Sequence, residues 1–162
     1  MDNVILIGMP GAGKSTVGVL LAKRLGYRFV DTDLLIQEKE NKRLFEILRD
    51  DGNEYFAAAE NNIVASLKAE KSVIATGGSV VFGSSAMENL KSLGKVVYLR
   101  VPLAELEKRV NNFETRGILM KSGQTLADIF NERTPLYEKY ADVTVDCDGE
   151  LSDNAIKIEN LI

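Results

Sequence analysis

Two adjoining stretches decide how this chain folds: Val4-Ile5-Leu6-Ile7, and directly after it Gly8-Met9-Pro10-Gly11-Ala12-Gly13-Lys14-Ser15. Four consecutive apolar residues read as a strand buried on both faces. Beyond the glycines, Val17, Leu20, Leu21 and Leu25 recur at helical spacing, and Gly26 ends that helix. The segment between strand and helix satisfies G-x-x-x-x-G-K-[ST]. Glycines there let backbone N–H groups turn inward around phosphate oxygens, and the helix N-terminus adds its dipole. Lys14 should reach the β- and γ-phosphates and the Ser15 hydroxyl should ligate Mg²⁺. The residues expected at the nucleotide phosphates are therefore Gly11, Ala12, Gly13, Lys14, Ser15 and Thr16. The plain alternative, a glycine-rich turn with an exposed lysine, lacks a reason for this strand–loop–helix context.

Working outward, short apolar runs keep alternating with helical patterns. Arg28-Phe29-Val30, Val73-Ile74-Ala75, Val96-Val97-Tyr98-Leu99 and Asp142 to Val145 read as four further strands. Leu34 to Asp51 reads as one or two helices, and Glu54 to Ala69 as another. Ser84 to Leu93 is helical, as is the segment from Pro102 to Val110. Leu126 to Arg133 follows, with Pro135 kinking or restarting the helix, and a last helix closes the chain. Residues 112–123 lack periodicity and carry Gly117 and Gly123, the pattern of a mobile loop. Strands alternating with helices indicate an α/β fold with a parallel sheet covered on both faces.

Composition excludes several chemistries. The 162 residues contain no histidine, so Ser-His-Asp triads and His-ligated metals are ruled out. The single cysteine, Cys147, can form neither an internal disulfide nor a CxxC site, which fits a reducing compartment. A net charge of −4 lacks the basic field of a general nucleic-acid binder. No apolar run approaches the roughly 18 residues of a membrane span. The expectation is a cytoplasmic monomer whose partners are ATP and a small acceptor, with no nucleic acid and no membrane.

Asp31-Thr32-Asp33 closes the second strand, at the sheet edge where α/β folds bind ligands. If the backbone stays extended, Asp31 and Asp33 share a face, one serving Mg²⁺ and the other an acceptor hydroxyl. The competing reading is a helix N-cap. No N-K-x-D signature for guanine is present, since Asn41-Lys42 runs into Arg43-Leu44.

The P-loop, Asp31-Thr32-Asp33, Phe56 with Glu60, Thr76-Gly77-Gly78 and Glu132-Arg133-Thr134-Pro135-Leu136-Tyr137 together resemble the shikimate kinase family. The resemblance runs from about Val4 to Asp146 with the motifs in family order. It implies one P-loop kinase domain over residues 1–162, of the three-layer nucleoside-monophosphate-kinase type, with a five-stranded parallel sheet in the order 2-3-1-4-5. Substrate-binding helices would lie at about 33–62 and a lid at about 112–123. By the same resemblance, Asp33 binds the acceptor hydroxyls and assists proton removal, and Asp31 is an outer magnesium partner. Gly77 and Gly78 bring backbone close to substrate, Arg109 lies against adenine, Arg116 in the lid contacts ATP and substrate together, and Arg133 pairs with the substrate carboxylate. Lys14, Asp33 and Arg116 would be the catalytic set.

The chain also departs from the family pattern. Where that pattern has Phe-Arg-x-x-Glu, with the arginine on the shikimate carboxylate, this chain has Phe56-Ala57-Ala58-Ala59-Glu60. No arginine occurs between Arg49 and Arg100 to restore it. Glu60 then looks unpaired and open to a cationic substrate group. Ser79 replaces a third glycine, Gly117 follows Arg116 where proline is usual, and Asn53 stands in place of a glutamate. The reading is ATP-dependent phosphorylation of a small hydroxylated metabolite, first of all shikimate to shikimate 3-phosphate. Two alternatives stay open: a related kinase with a different acceptor, and a non-catalytic ATP-binding regulatory module.

Overall fold

The computed structural model describes residues 2–110 and 117–162. Five strands, β1 (Asn3–Ile7), β2 (Arg28–Asp31), β3 (Ser72–Ala75), β4 (Gly94–Arg100) and β5 (Val143–Asp146), form one parallel sheet in the order β2-β3-β1-β4-β5. The α/β class and the strand order agree with the sequence reading. Every residue of β1 and β3 is buried, as their unbroken apolar runs require, whereas the edge strands β2 and β5 are only partly covered. Helices α1 (Lys14–Leu25), α2 (Thr32–Glu40), α3 (Leu44–Asp51), α4 (Asn53–Ala65), α5 (Ser84–Leu93), α6 (Leu103–Arg109), α7 (Leu126–Tyr140) and α8 (Leu151–Glu159) complete the described elements, with a 3₁₀ turn at Val80–Phe82.

Two apolar cores result. The larger follows the sheet and takes in Val17 and Leu21 of α1, Met87 and Leu90 of α5 and Ile158 of α8. The smaller, Ile36, Leu44, Ile47 and Phe56, lies beneath α2, α3 and α4, and Leu119 packs against it. Phe56 is therefore a core residue first. The strand order puts β3 between β1 and β2, and Ala75 stands level with both Leu6 and Asp31. The loops that leave these three strands consequently emerge side by side at one carboxyl edge.

One local expectation is narrowed and two change. Leu34 to Asp51 resolves into two helices, with Asn41 in the left-handed region ending the first. Helix α4 stops at Ala65, four residues short of its pattern, because Asn89 of α5 donates its amide to the carbonyls of Val64 and Leu67 at 2.8 and 2.9 Å. Pro135 lies inside a continuous α7 and does not restart it. The carbonyl it leaves without a donor belongs to Asn131, which is exposed to water, and a reciprocal cap between Thr125 and Asp128 fixes the start of the helix.

The amino edge of the sheet is tied by one side chain. Asn3 donates to the carbonyls of Ala69 and Leu93 at 2.8 and 2.9 Å and accepts from the Ser72 N–H at 2.9 Å. Asn3→Ala leaves these buried backbone groups without partners, so the unfolding free energy in urea should fall by about 2–4 kcal/mol. Nucleotide affinity should hold, since Asn3 sits at the sheet edge opposite the P-loop.

Candidate active site

The loop after β1 has the shape that its glycines allow. Gly11 and Gly13 have φ of 84° and 90°, and a Cβ on either would lie 2.6 Å from Val110 and 2.7 Å from Leu151. Any other residue at these two positions would be strained and would also clash. Lys14 is buried and folds back over the loop, its Nζ donating to the carbonyls of Gly8 and Met9 at 2.7 and 2.8 Å. The ammonium is thereby held at the mouth of the ring of loop N–H groups. Arg109, on α6, donates to the Gly11 carbonyl at 3.2 Å and pairs with Glu105 at 3.3 Å, so it lies on the nucleotide side of the loop. Arg116 lies outside the described residues, as do residues 112–116 of the expected lid.

The acidic pair is built differently from the extended arrangement expected. Asp31 ends β2 and caps α2, its Oδ1 accepting from the Asp33 N–H at 3.0 Å. Its other oxygen accepts from the Ser15 hydroxyl at 2.9 Å. The N-cap reading of Asp31 is therefore the one the geometry shows, and the same carboxylate also reaches the Ser15 hydroxyl. Asp33 sits in the first turn of α2 rather than on extended backbone. Its Oδ1 is buried without a hydrogen-bond partner. Burial and the nearby Asp31 charge push its carboxyl up to about 6, with Lys14 opposing.

Beyond β3, Thr76 prolongs the sheet by one residue, its N–H and hydroxyl both donating to the Leu6 carbonyl at 3.3 and 2.8 Å. Gly77 then passes between two acids. A Cβ there would stand 2.8 Å from Asp33 Oδ1 and 2.8 Å from Glu60 Oε2. A Cβ on Gly78 would meet Pro10 at 2.8 Å and Arg133 Nη1 at 3.2 Å. Glu60 does not stand alone as its sequence context indicated: Ser79 donates to its Oε1 at 2.7 Å. Its Oε2 has no partner, and burial drives the carboxyl up to about 7, with the Asp33 charge adding to the rise while Ser79, Arg133 and Lys14 oppose it.

Arg133 is only 2% exposed. Its Nη2 donates to the Leu119 carbonyl, its guanidinium lies 5.4 Å from the centre of the Phe82 ring, and its Nε is a buried donor without an acceptor. Tyr137, one helical turn on, donates to the Gly78 carbonyl at 2.5 Å and stacks on Tyr98 at 5.2 Å. The motif residues of α7 thus brace the turn after β3. Lys14, Ser15, Asp33, Gly77, Gly78 and Arg133 all line one cavity of about 190 Å³. One end offers phosphate-binding backbone and a lysine, and the other offers an unpartnered acid and an unpartnered arginine edge. Such an arrangement suits transfer of a phosphoryl group to a small anionic alcohol.

Reading the sequence alone left out three participants: the Ser79 hydroxyl, the Leu119 carbonyl and the Asn53 amide, which donates to the Met120 carbonyl at 3.0 Å. Ser79 and Asn53 were visible as departures from a pattern, without a role. A backbone carbonyl such as that of Leu119 leaves no trace in side-chain identity.

Comparison with known proteins gives a consistent result. The shikimate kinase family matches this chain over residues 10–160. A shikimate kinase of Clostridium botulinum (strain Okra / Type B1) is 41% identical, with 98% of this chain and 94% of that protein aligned. One from Persephonella marina is 35% identical over 93% of this chain and 92% of its own. Among solved structures, the shikimate kinase of Acinetobacter baumannii in complex with shikimate superposes with a TM-score of 0.91 at 34% identity, covering 99% of this chain and 92% of that one.

A methyl group at residue 77 has no space between the two acids. Gly77→Ala should cost about 1–3 kcal/mol of stability, read by thermal or urea unfolding. It should also spread Asp33 and Glu60 apart, and so remove acceptor turnover while an ATP analogue still binds.

Proposed function

The chain belongs to the shikimate kinase family, whose reaction is ATP-dependent phosphoryl transfer to an alcohol, and we propose from that premise that its acceptor is shikimate, converted to shikimate 3-phosphate. The observation that carries this reading is the shared cavity: the P-loop lysine, Asp33 and Arg133 all line it, and the Asp33 Oδ1 and Arg133 Nε are buried there without hydrogen-bond partners. Each unpartnered group is a costly feature of a folded protein unless a ligand completes it. An acceptor with a hydroxyl at one end and a carboxylate at the other completes both.

In this reading Gly11 to Thr16 hold the phosphates through backbone and Lys14, with Arg109 against the base and Arg116 closing from the lid. Helices α2, α3 and α4 form the acceptor side. The acceptor hydroxyl oxygen attacks the γ-phosphorus as the bond to the β–γ bridging oxygen breaks. Asp33 accepts the hydroxyl proton at Oδ1, and ADP leaves. Lys14, held by the Gly8 and Met9 carbonyls, faces the charge that spreads over the transferring oxygens. Gly77 and Gly78 let the acceptor ring approach backbone, and Arg133 takes its carboxylate.

The family is typically Mg²⁺-dependent, and Ser15 and Asp31 fit that ion. They are two hard oxygen donors 2.9 Å apart, and Mg²⁺ keeps most of its water and needs few protein ligands. Bound there, the ion would neutralise charge on the phosphates. Among the described residues no cluster of three or more acids, cysteines or histidines suits a metal, so this pair is the site the reading assigns. We further place the protein in the cytoplasm as a monomer. The free, buried Cys147 thiol fits a reducing compartment, and no described helix is long and apolar enough to cross a membrane.

Ala57 sets the strength of carboxylate binding. Its side chain faces a second cavity of about 300 Å³ that also touches Phe82, Lys121 and Arg133, the space a long side chain would fill. With Arg133 as the single clamp, KM for shikimate should be high and kcat ordinary, because a contact made equally in ground and transition states affects KM alone.

Three variants test the reading. In a coupled ADP assay, Lys14→Ala should lower turnover by about 10²–10³-fold. Asp33→Asn should abolish turnover yet leave ATP affinity nearly intact, and full activity would reduce Asp33 to a first-turn helix residue. Ala57→Arg should lower KM for shikimate by about 10–100-fold, the equivalent of one charge-assisted hydrogen bond. A rise in KM instead would point to an acceptor without that carboxylate, which a panel of polyol acids and amino alcohols would identify.

A further inference from the structure

Two buried acids flank the same glycine, and only one of them is explained by the reaction. Asp33 serves the acceptor hydroxyl in the reading above, on which the present inference rests. Glu60 is 3% exposed, lines the same cavity and has one oxygen fixed by Ser79 and the other without a partner. Its free oxygen and that of Asp33 both come within 2.8 Å of the position of a Gly77 Cβ, so the two carboxyls share one dry site. Like charges this close do not both ionise readily, and a proton on one of them relieves the site.

The surroundings favour Glu60 as the holder. The charges that act on it are Asp33 from α2, Arg133 from α7 and Lys14 from α1, and the buried Tyr137 phenol of α7 stays neutral because burial raises it far above the usual range. Lys14 already donates to two loop carbonyls, and Arg133 spends Nη2 on Leu119. One turn before Glu60, where a cationic side chain would have reached it along α4, stands Ala57. What Glu60 has instead is the Ser79 hydroxyl, a neutral donor.

We propose that Glu60 determines acceptor specificity as an uncharged carboxyl group, its Oε2–H donating to the acceptor carboxylate beside Arg133, with Ser79 as the positioning residue that holds Oε1. The balance is simple: the protein binds the acceptor anion together with one proton, which comes from solvent and resides on Glu60. The anion then meets one cation and one neutral donor. Ionised Glu60 would repel the same carboxylate across the cavity, so acceptor affinity depends on pH while the nucleotide side does not share that dependence.

The sign follows from the direction of the shift. Burial raises the Glu60 carboxyl to about 7, so the protonated, binding-competent form is lost as pH rises through that value. KM for shikimate, measured at saturating Mg-ATP between pH 5.5 and 8.5, should be flat below about 7 and climb by about tenfold per unit above it. Glu60→Gln carries a permanent neutral donor and should flatten that climb. Ser79→Ala removes a hydrogen bond that favours the ionised form, and should move the break in KM to higher pH. A purely structural role for Ser79 would change KM or stability without moving the break. If Glu60→Gln unfolds, the Ser79→Ala profile still decides the matter, as does calorimetry of shikimate binding to the Mg-ADP complex at pH 7.5. There the enthalpy should differ between phosphate and Tris buffers by the heat of about one proton taken up. A wild-type KM that is flat across this range, or a climb that survives in Glu60→Gln, overturns the proposal and leaves shikimate as the acceptor. No shikimate turnover at any pH overturns both the acceptor reading and this inference.

Discussion

Asp31 is the residue on which the geometry of the site depends. It ends β2 in register with Ala75, receives the Ser15 hydroxyl with one oxygen and caps α2 with the other. The first helix after the P-loop and the first helix of the acceptor side are therefore fixed to a single carboxylate. An N-cap carboxylate contributes about 0.5–2 kcal/mol to its helix, so the arrangement stabilises the fold as well as orienting the site. It also sets the direction of Asp33, whose side chain projects from the first turn of α2 because Asp31 has stopped the strand. A shift of the cap would displace Asp33 relative to Lys14 with no change in either residue.

Beneath that scaffold, the protein keeps an uneconomical set of buried groups. Asp33 and Glu60 each have an oxygen without a partner, and Arg133 has a donor without an acceptor, all around the turn at Gly77 and Gly78. Core packing does not explain them, since apolar side chains of the same volume would be at least as stable. Stability is recovered nearby, where Phe56 and Ile47 fill the smaller core, and Tyr137 pins the Gly78 carbonyl while stacking on Tyr98. Rigid apolar support around unsatisfied polar groups is how a binding site is kept ready for its ligand.

The nucleotide half of this arrangement was legible in the sequence, and the acceptor half only partly so. The strand, glycine loop and helix from Val4 to Leu25 carry local signals that the fold leaves unchanged: a fully buried strand, glycines at positive φ and a helix capped by Gly26. The acceptor side is assembled from residues far apart in the chain, and its decisive contacts are of kinds that sequence hides. Glu60 looked unpaired because its partner, Ser79, is 19 residues away and reaches it only through the turn after β3. Asp33 departs from the extended arrangement because strand alternation ends at Asp31, two residues before it, where Asp31 caps a helix. Pro135 looked like a break because propensity takes no account of Asn131 having water for its carbonyl.

The departures from the family pattern fall in one neighbourhood rather than being scattered. Asn53 donates to the Met120 carbonyl, Arg133 to the Leu119 carbonyl, and a Cβ on Gly117 would stand 2.4 Å from Leu44 Cβ. Residues 117–120 therefore lie against the starts of α3 and α4, where any side chain at residue 117 would hold them off. Ala57 and Ser79 sit on the other side of the same contact, next to Phe82 and Glu60. Ala57 leaves the acceptor pocket with one arginine fewer, while Ser79 donates to Glu60 and Gly117 lets its segment lie against Leu44. Loss of a cation from a buried cluster normally strands its acidic partner at a cost of a few kcal/mol. Here the cluster is rebalanced, because the serine supplies a neutral hydrogen bond where a charge would otherwise be needed. The altered acceptor side is therefore internally consistent, and Asp31, which holds the Ser15 hydroxyl with one oxygen and caps α2 with the other, ties it to the helix that follows the phosphate loop.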